Sequence, residues 1–139
     1  MIKALVACAT ALALVACAAP VERTASGEIP SSRIYIKSMT QQDAGLTQVE
    51  FNRAGGMFNN EMLELAINDV VLAQMAGGEH LSIWLKPGSY DFSARPVHTL
   101  NTPATAKQSR VTLEIKTGGA YKLQIATDIH GLKMSLAGK

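Results

Sequence analysis

The chain lacks an excess of charge of either sign. It contains 13 basic and 11 acidic residues among 139, a formal net charge of +2, and its basic residues do not cluster. Proteins that bind nucleic acids usually concentrate positive charge on one surface, and many peripheral membrane proteins use a polybasic patch. The composition therefore predicts no nucleic-acid partner and no membrane binding by charge alone.

The chain also lacks the short motifs that mark catalytic and metal-binding sites. Its histidines, His80, His98 and His130, are far apart and show no metal-ligand spacing. There is no Gly-x-Ser-x-Gly motif, and the acidic residues are scattered along the chain rather than paired. The sequence therefore predicts a non-enzymatic protein with no cofactor and no metal. The alternative is an enzyme or metal-binding protein whose site is assembled only by the fold.

Long apolar runs are missing except near the N-terminus. Lys3 precedes an apolar stretch from Leu5 to Val15, and the small residue Ala16 follows it. A transmembrane helix needs about 20 apolar residues. A secretory signal instead has a positive start, an apolar core of roughly 7–15 residues and a small-residue cleavage site. Residues 1–16 are therefore predicted to be a signal peptide.

Cysteine is scarce as well, since the chain has only Cys8 and Cys17. Leu14, Val15, Ala16 and Cys17 match the lipobox of bacterial lipoproteins, in which cleavage precedes a lipid-modified cysteine. The resemblance implies that the first three residues are recognised by the signal peptidase and that Cys17 carries the anchor. The mature chain then has no disulfide. An ordinary secretory signal with an Ala-x-Ala cleavage site is the alternative.

The residue after the cysteine bears on localisation. In diderm lipoproteins an Asp there is the usual inner-membrane retention signal, and this chain has Ala18. The sorting rule therefore implies a cell-envelope protein on the outer membrane, facing the periplasm. The expected partners are the membrane, through the N-terminal lipid, and another envelope protein.

The mature chain divides by composition into a linker and a domain. Residues 17–32 contain Pro20 and Pro30 and little apolar periodicity, so they are predicted to form the lipidated cysteine and a flexible tether. Over residues 33–139, apolar and polar residues alternate in short runs separated by Pro and Gly. The pattern predicts an all-β domain, a small antiparallel β-sandwich of about seven to nine strands. Its first strand is expected at 33–39.

The stretch from Glu61 to Ala76 fits two structures. Its Glu, Met, Leu and Ala residues favour a helix. Against a helix, apolar and polar residues alternate from Leu63 to Ile67, and Asn68-Asp69 tolerates the backbone conformation of a tight hairpin turn. The residues favour the hairpin and leave the helix as the alternative.

The order of several short motifs resembles a family of small uncharacterised bacterial lipoproteins built on a domain of unknown function. The resemblance covers about Val49 to Leu136 and implies a sandwich with a transthyretin-like or carboxypeptidase-regulatory-like appearance. It supports the hairpin and implies no activity. The matching segments are Val49-Glu50-Phe51, Gly56-Met57-Phe58, Leu65-Ala66-Ile67-Asn68-Asp69, Ile83-Trp84-Leu85, Pro87-Gly88-Ser89-Tyr90 and Thr117-Gly118-Gly119-Ala120-Tyr121.

Three apolar residues are candidates for contact with a partner. Met57 and Phe58 form an apolar pair in a glycine-rich loop, where they are expected either to bind a partner or the membrane surface or to cap the sandwich. Trp84 is a candidate because tryptophan is enriched at interface hot spots, although a core position is favoured for it. Tyr90 and Tyr121 share faces with apolar residues and are expected to pack inward.

The Cys17→Ser variant should lose its lipid and leave the membrane fraction while its fold stays intact, because no disulfide depends on this residue. Metabolic palmitate labelling and cell fractionation measure the first effect, and circular dichroism measures the second. Cys8→Ser is the matched control, since Cys8 lies too close to Lys3 to end a signal core. Persistent membrane attachment of Cys17→Ser would contradict the interpretation.

Overall fold

The fold consists of strands joined by turns. A computed structural model describes residues 21–98 and 107–138, and no helix within them is long and apolar enough to cross a membrane. The strands in these residues are β1 (Thr47–Arg53), β2 (Leu63–Ile67), β3 (Val70–Met75), β4 (His80–Leu85), β5 (Gly88–Pro96), β6 (Ser109–Ile115), β7 (Ala120–Asp128) and β8 (Gly131–Leu136). Short 3₁₀ turns occupy Ser31–Arg33, Lys37–Thr40 and Met57–Asn59.

The strands form two four-stranded sheets that pack face to face. The first sheet has the order β4-β1-β7-β8 and the second the order β3-β2-β5-β6. Neighbouring strands are antiparallel except β1 and β7, which are parallel. This parallel pair forms because the chain passes through the second sheet between the two strands and returns in the same direction. The prediction of a small all-β sandwich is confirmed, with one parallel pair among its described strands.

Alternating apolar residues from both sheets form the core. Val49 and Phe51 of β1 point inward and are fully buried. The Phe51 ring meets that of Phe92 from the opposite sheet at a centroid distance of 5.7 Å, in an edge-to-face arrangement. Tyr90 and Tyr121 are half-buried against this core, as the sequence predicted.

The stretch from Glu61 to Ala76 forms the β2–β3 hairpin. Asn68 and Asp69 occupy its turn with φ angles of 48° and 64°. Two successive residues with positive φ are typical of the turn whose twist matches that of paired strands, and Asn and Asp tolerate this conformation. The Asn68 side chain also accepts a hydrogen bond from the Asp91 N–H at 2.9 Å. The hairpin prediction is confirmed.

The N-terminal segment, residues 22–36, packs along the outer strands of both sheets. The Ile29 N–H donates to the His80 carbonyl on β4 at 3.1 Å. The Tyr35 N–H donates to the Leu72 carbonyl on β3 at 2.8 Å. The segment therefore bridges the two sheets on one side of the sandwich and covers part of each edge.

Two predictions for this part of the chain need correction. The flexible tether was expected to extend over residues 17–32, but Ile29 is only 4% exposed and belongs to the core. The folded domain therefore begins before Ile29. The strand expected at 33–39 is replaced by two 3₁₀ turns and a single bridge between Ile34 and Ala73. The apolar alternation there falls on Ile34 to Ile36, a short stretch between the two turns, where Ile34 and Ile36 pack against the core and Tyr35 is exposed.

Ile29→Ala should lower the free energy of unfolding by about 2–4 kcal/mol, because it removes buried methyl groups and leaves a cavity. Urea denaturation of the purified protein measures the change. Val21→Ala is the control, since Val21 is 51% exposed and its change should stay within about 0.5 kcal/mol. Equal, small effects of the two variants would mean that Ile29 does not pack in the core.

Candidate functional site

Met57 and Phe58 lie in the loop between β1 and β2 and face solvent. Their exposed fractions are 80% and 54%. Gly56, with φ of 97°, turns the chain into the 3₁₀ turn that carries them. The buried side chain of Asn59 anchors the loop, since its Oδ1 accepts a hydrogen bond from the Thr127 N–H at 2.9 Å. The pair is therefore exposed on a loop that is itself tied to β7.

Close packing joins this loop to its neighbours. A Cβ atom on Gly77 would lie 2.2 Å from the carbonyl oxygen of Asn59, so only glycine fits there. The Arg23 guanidinium donates to the Gly77 carbonyl at 2.9 Å and brings the N-terminal segment to the same place. We call this part of the sandwich the loop end; it comprises residues 21–23, 54–60, 76–79 and 128–130.

Trp84 lies on the outer face of the first sheet. Ile83 and Leu85 point into the core, and Trp84 points the other way and is half-buried. It is paired in register with Gln48 of β1. The favoured expectation of a core position is therefore wrong, because only one face of this outer strand is covered.

The structure does not bring the predicted contact residues together. His80 begins β4 near the loop end, and Trp84 follows it four residues along the strand. At about 3.3 Å per residue, that places Trp84 roughly 13 Å away from the loop end along the sheet. Met57 and Phe58 therefore form one surface and Trp84 another.

A buried ion pair that the sequence reasoning missed lies beside the loop end. Arg33 donates to both carboxylate oxygens of Glu79, at 2.5 and 2.9 Å, and the side chains are 12% and 2% exposed. Glu79 also accepts the Ala76 N–H at 2.7 Å. Arg33 further donates to the Gln74 and Glu22 carbonyls. This network joins the N-terminal segment to the turn between β3 and β4.

Arg53 is a second buried cation close to this network. It is 4% exposed, and its Nη1 donates to the carbonyls of Glu61 and Met75 at 2.5 and 2.8 Å. Its Nε and Nη2 have no hydrogen-bond partner among the described residues. Burial lowers the pKa of Arg53 below its usual value, and the charges of Glu61 and Glu79 oppose that shift.

The sequence contains a signal for only one of these buried charges. Val49 and Phe51 alternate with polar residues along β1, and extending that alternation by two residues places Arg53 on the same inward face. Glu79 follows Gly77-Gly78 in a turn, where no periodicity indicates burial. Its partner Arg33 precedes it by 46 residues, so only the fold reveals the pair.

The outer face of the second sheet is polar, and its arginines are paired. Arg95 binds Glu64, and Arg110 binds Asp69 and Asp91. Hydrogen bonds to the two aspartates raise the pKa of Arg110. A depression on this face has a volume of about 210 Å³, below the roughly 300–1,000 Å³ of typical ligand pockets. This face therefore carries neutralised charge rather than a free cation cluster.

The remaining candidate site residues are the histidines, considered as metal ligands, and the lipobox, considered as the lipidation site. Across residues 21–98 and 107–138, no three His, Cys, Asp or Glu side chains are grouped so that they could hold a metal ion. Leu14, Val15, Ala16 and Cys17 lie outside the described residues, so lipidation remains a prediction. Residues 99–106, which lie between β5 and β6 in sequence, are also outside them.

Comparisons with known proteins identify no family. No family model and no curated protein matches the chain. The chain is similar to a solved structure described as the NMR structure of the protein from Eubacterium rectale, with 12% identity and a TM-score of 0.44. The similarity covers 71% of this chain and 96% of that one.

Glu79→Gln should lower the free energy of unfolding by about 3–5 kcal/mol, because it leaves the Arg33 charge buried without a counter-charge. Glu64→Gln is the matched control. Its partner Arg95 is 57% exposed, so the loss should stay below about 1 kcal/mol. Chemical denaturation of both variants measures the difference. Similar losses would show that the Arg33–Glu79 pair stabilises no more than a surface ion pair.

Proposed function

We propose that the chain is a non-enzymatic lipoprotein of the cell envelope, anchored through Cys17 in the outer membrane and facing the periplasm. Its sandwich binds an envelope protein. The observation that carries the proposal is the Leu14-Val15-Ala16-Cys17 lipobox at the end of a short apolar run. The motif order that resembles small bacterial lipoproteins supports the same location.

The packing of the N-terminal segment supports a domain held close to the membrane. The Glu22 carbonyl accepts a hydrogen bond from Arg33 at 2.9 Å, and Glu22 is five residues after Cys17. Five residues span at most about 18 Å when fully extended. A domain on so short a linker has restricted orientations, so one set of faces is presented to partners in the periplasm.

The outer face of the first sheet is the surface we assign to the protein partner. Trp84 is a large half-buried side chain there, among polar neighbours. Beside its register partner Gln48 lies a depression of about 110 Å³, which Glu50, Tyr121 and Lys122 also line. A tryptophan within a polar rim is typical of a protein–protein hot spot.

A photo-crosslinking amino acid at position 48, the exposed register partner of Trp84, should give one discrete adduct in native membranes. The matched control is position 112, because Thr112 is exposed on the outer face of the opposite sheet. Trp84→Ala should weaken binding to the crosslinked protein by at least about 2 kcal/mol, roughly 30-fold. Adducts that are equal at positions 48 and 112, or absent at position 48, would contradict this assignment.

A further inference from the structure

The loop end carries most of the exposed apolar side chains of the described residues. Six large hydrophobic residues in residues 21–98 and 107–138 are more than half exposed, and four of them are Val21, Met57, Phe58 and Ile129. Met57 and Phe58 precede Asn59, whose hydrogen bond to Thr127 connects their loop to the β7–β8 turn that holds Ile129. Exposed apolar side chains grouped in this way are typical of a surface that contacts a membrane or another molecule.

The chain approaches the predicted lipid at this same end. Arg23 is bound to the Gly77 carbonyl at 2.9 Å, and Gly77 packs against the backbone of Asn59. Val21 is two residues before Arg23 and therefore lies at the loop end, and Cys17 precedes it by four residues. Four residues span at most about 14 Å, so acyl chains on Cys17 hold this end, rather than the opposite one, beside the lipid headgroups.

Charges at the loop end are mixed in sign. Glu22 and Asp128 are exposed there together with Arg23 and His130. Attraction to an anionic surface needs a basic cluster, which these residues do not form. A contact between the loop end and a membrane would therefore be apolar and would not depend on the charge of the lipids.

We propose that the loop end rests in the interfacial layer of the bilayer that holds Cys17, with Met57, Phe58 and Ile129 inserted among the headgroups. The occupant of this apolar surface is thus lipid, which adds a second membrane contact to the acyl anchor. The inference rests on the proposed lipidation of Cys17. It leaves Trp84, on the outer face of the first sheet and roughly 13 Å from the loop end, outside the contact with the bilayer.

The test uses the lipidated full-length mature protein in phosphatidylcholine vesicles. Met57→Cys and Ile129→Cys each receive a fluorophore that is sensitive to water. Emission from both positions should shift to shorter wavelength and be quenched by lipids that carry a nitroxide near the headgroup. Phosphatidylglycerol vesicles should give the same shifts.

Two control positions lie away from the loop end. Val70→Cys is matched in character, because Val70 is an apolar residue that is 57% exposed in the β2–β3 turn. Ser89→Cys labels the start of β5, at the opposite end of the sandwich. Both labels should emit as they do in water.

Three outcomes would overturn the inference, and they are distinguishable. Failure of the protein with Cys17 intact to float with vesicles would overturn the proposed function and this inference together. Flotation with water-like emission from positions 57 and 129 would overturn only the inference. Shifts in native membranes but not in pure-lipid vesicles would assign the loop end to a protein partner instead.

Discussion

Arg33 and Glu79 form an ion pair that joins parts of the chain far apart in sequence. Burying a carboxylate is unfavourable unless its oxygens are fully satisfied, and Glu79 receives two guanidinium N–H groups and the Ala76 amide. Arg33 also donates to the carbonyls of Gln74 and Glu22. The N-terminal segment, the second sheet and the turn into the first sheet are therefore held by one network, and removing either charged side chain leaves the other charge uncompensated.

The sandwich is covered on both of its open sides, and the segment that Arg33 holds covers one of them. Unpaired strand edges invite pairing with other chains, and the segment held by Arg33 covers part of β3 and of β4. On the other side β6 and β8 approach each other, and the Met134 N–H donates to the Ser109 hydroxyl at 2.9 Å. The same segment brings the chain to the loop end, so the ion pair also determines which end of the domain the predicted lipid anchor approaches.

The parts of the fold that could be predicted from the sequence are those that depend on local periodicity and local turn preferences. The alternation of Val49 with Phe51 and the turn residues Asn68-Asp69 indicate strands and a hairpin because their preferences are local. The alternation at 33–39 was misleading, since Ile34 and Ile36 pack inward from a short segment between two 3₁₀ turns that forms only a single bridge. Trp84 was misplaced because sequence does not say whether a strand is covered on one face or two. The Arg33–Glu79 pair could not be predicted, because no local sequence pattern indicates that two charged residues far apart in the chain are paired.

Amide hydrogen exchange of the N-terminal segment tests most directly whether the ion pair holds it on the sandwich. In the native chain the Ile29 and Tyr35 amides should exchange nearly as slowly as those of β1, because both donate to strand carbonyls. In Glu79→Gln these two amides should exchange much faster than those of β1. Exchange of Ile29 and Tyr35 at the rate of an unstructured peptide in the native chain, or protection unchanged by Glu79→Gln, would contradict the account.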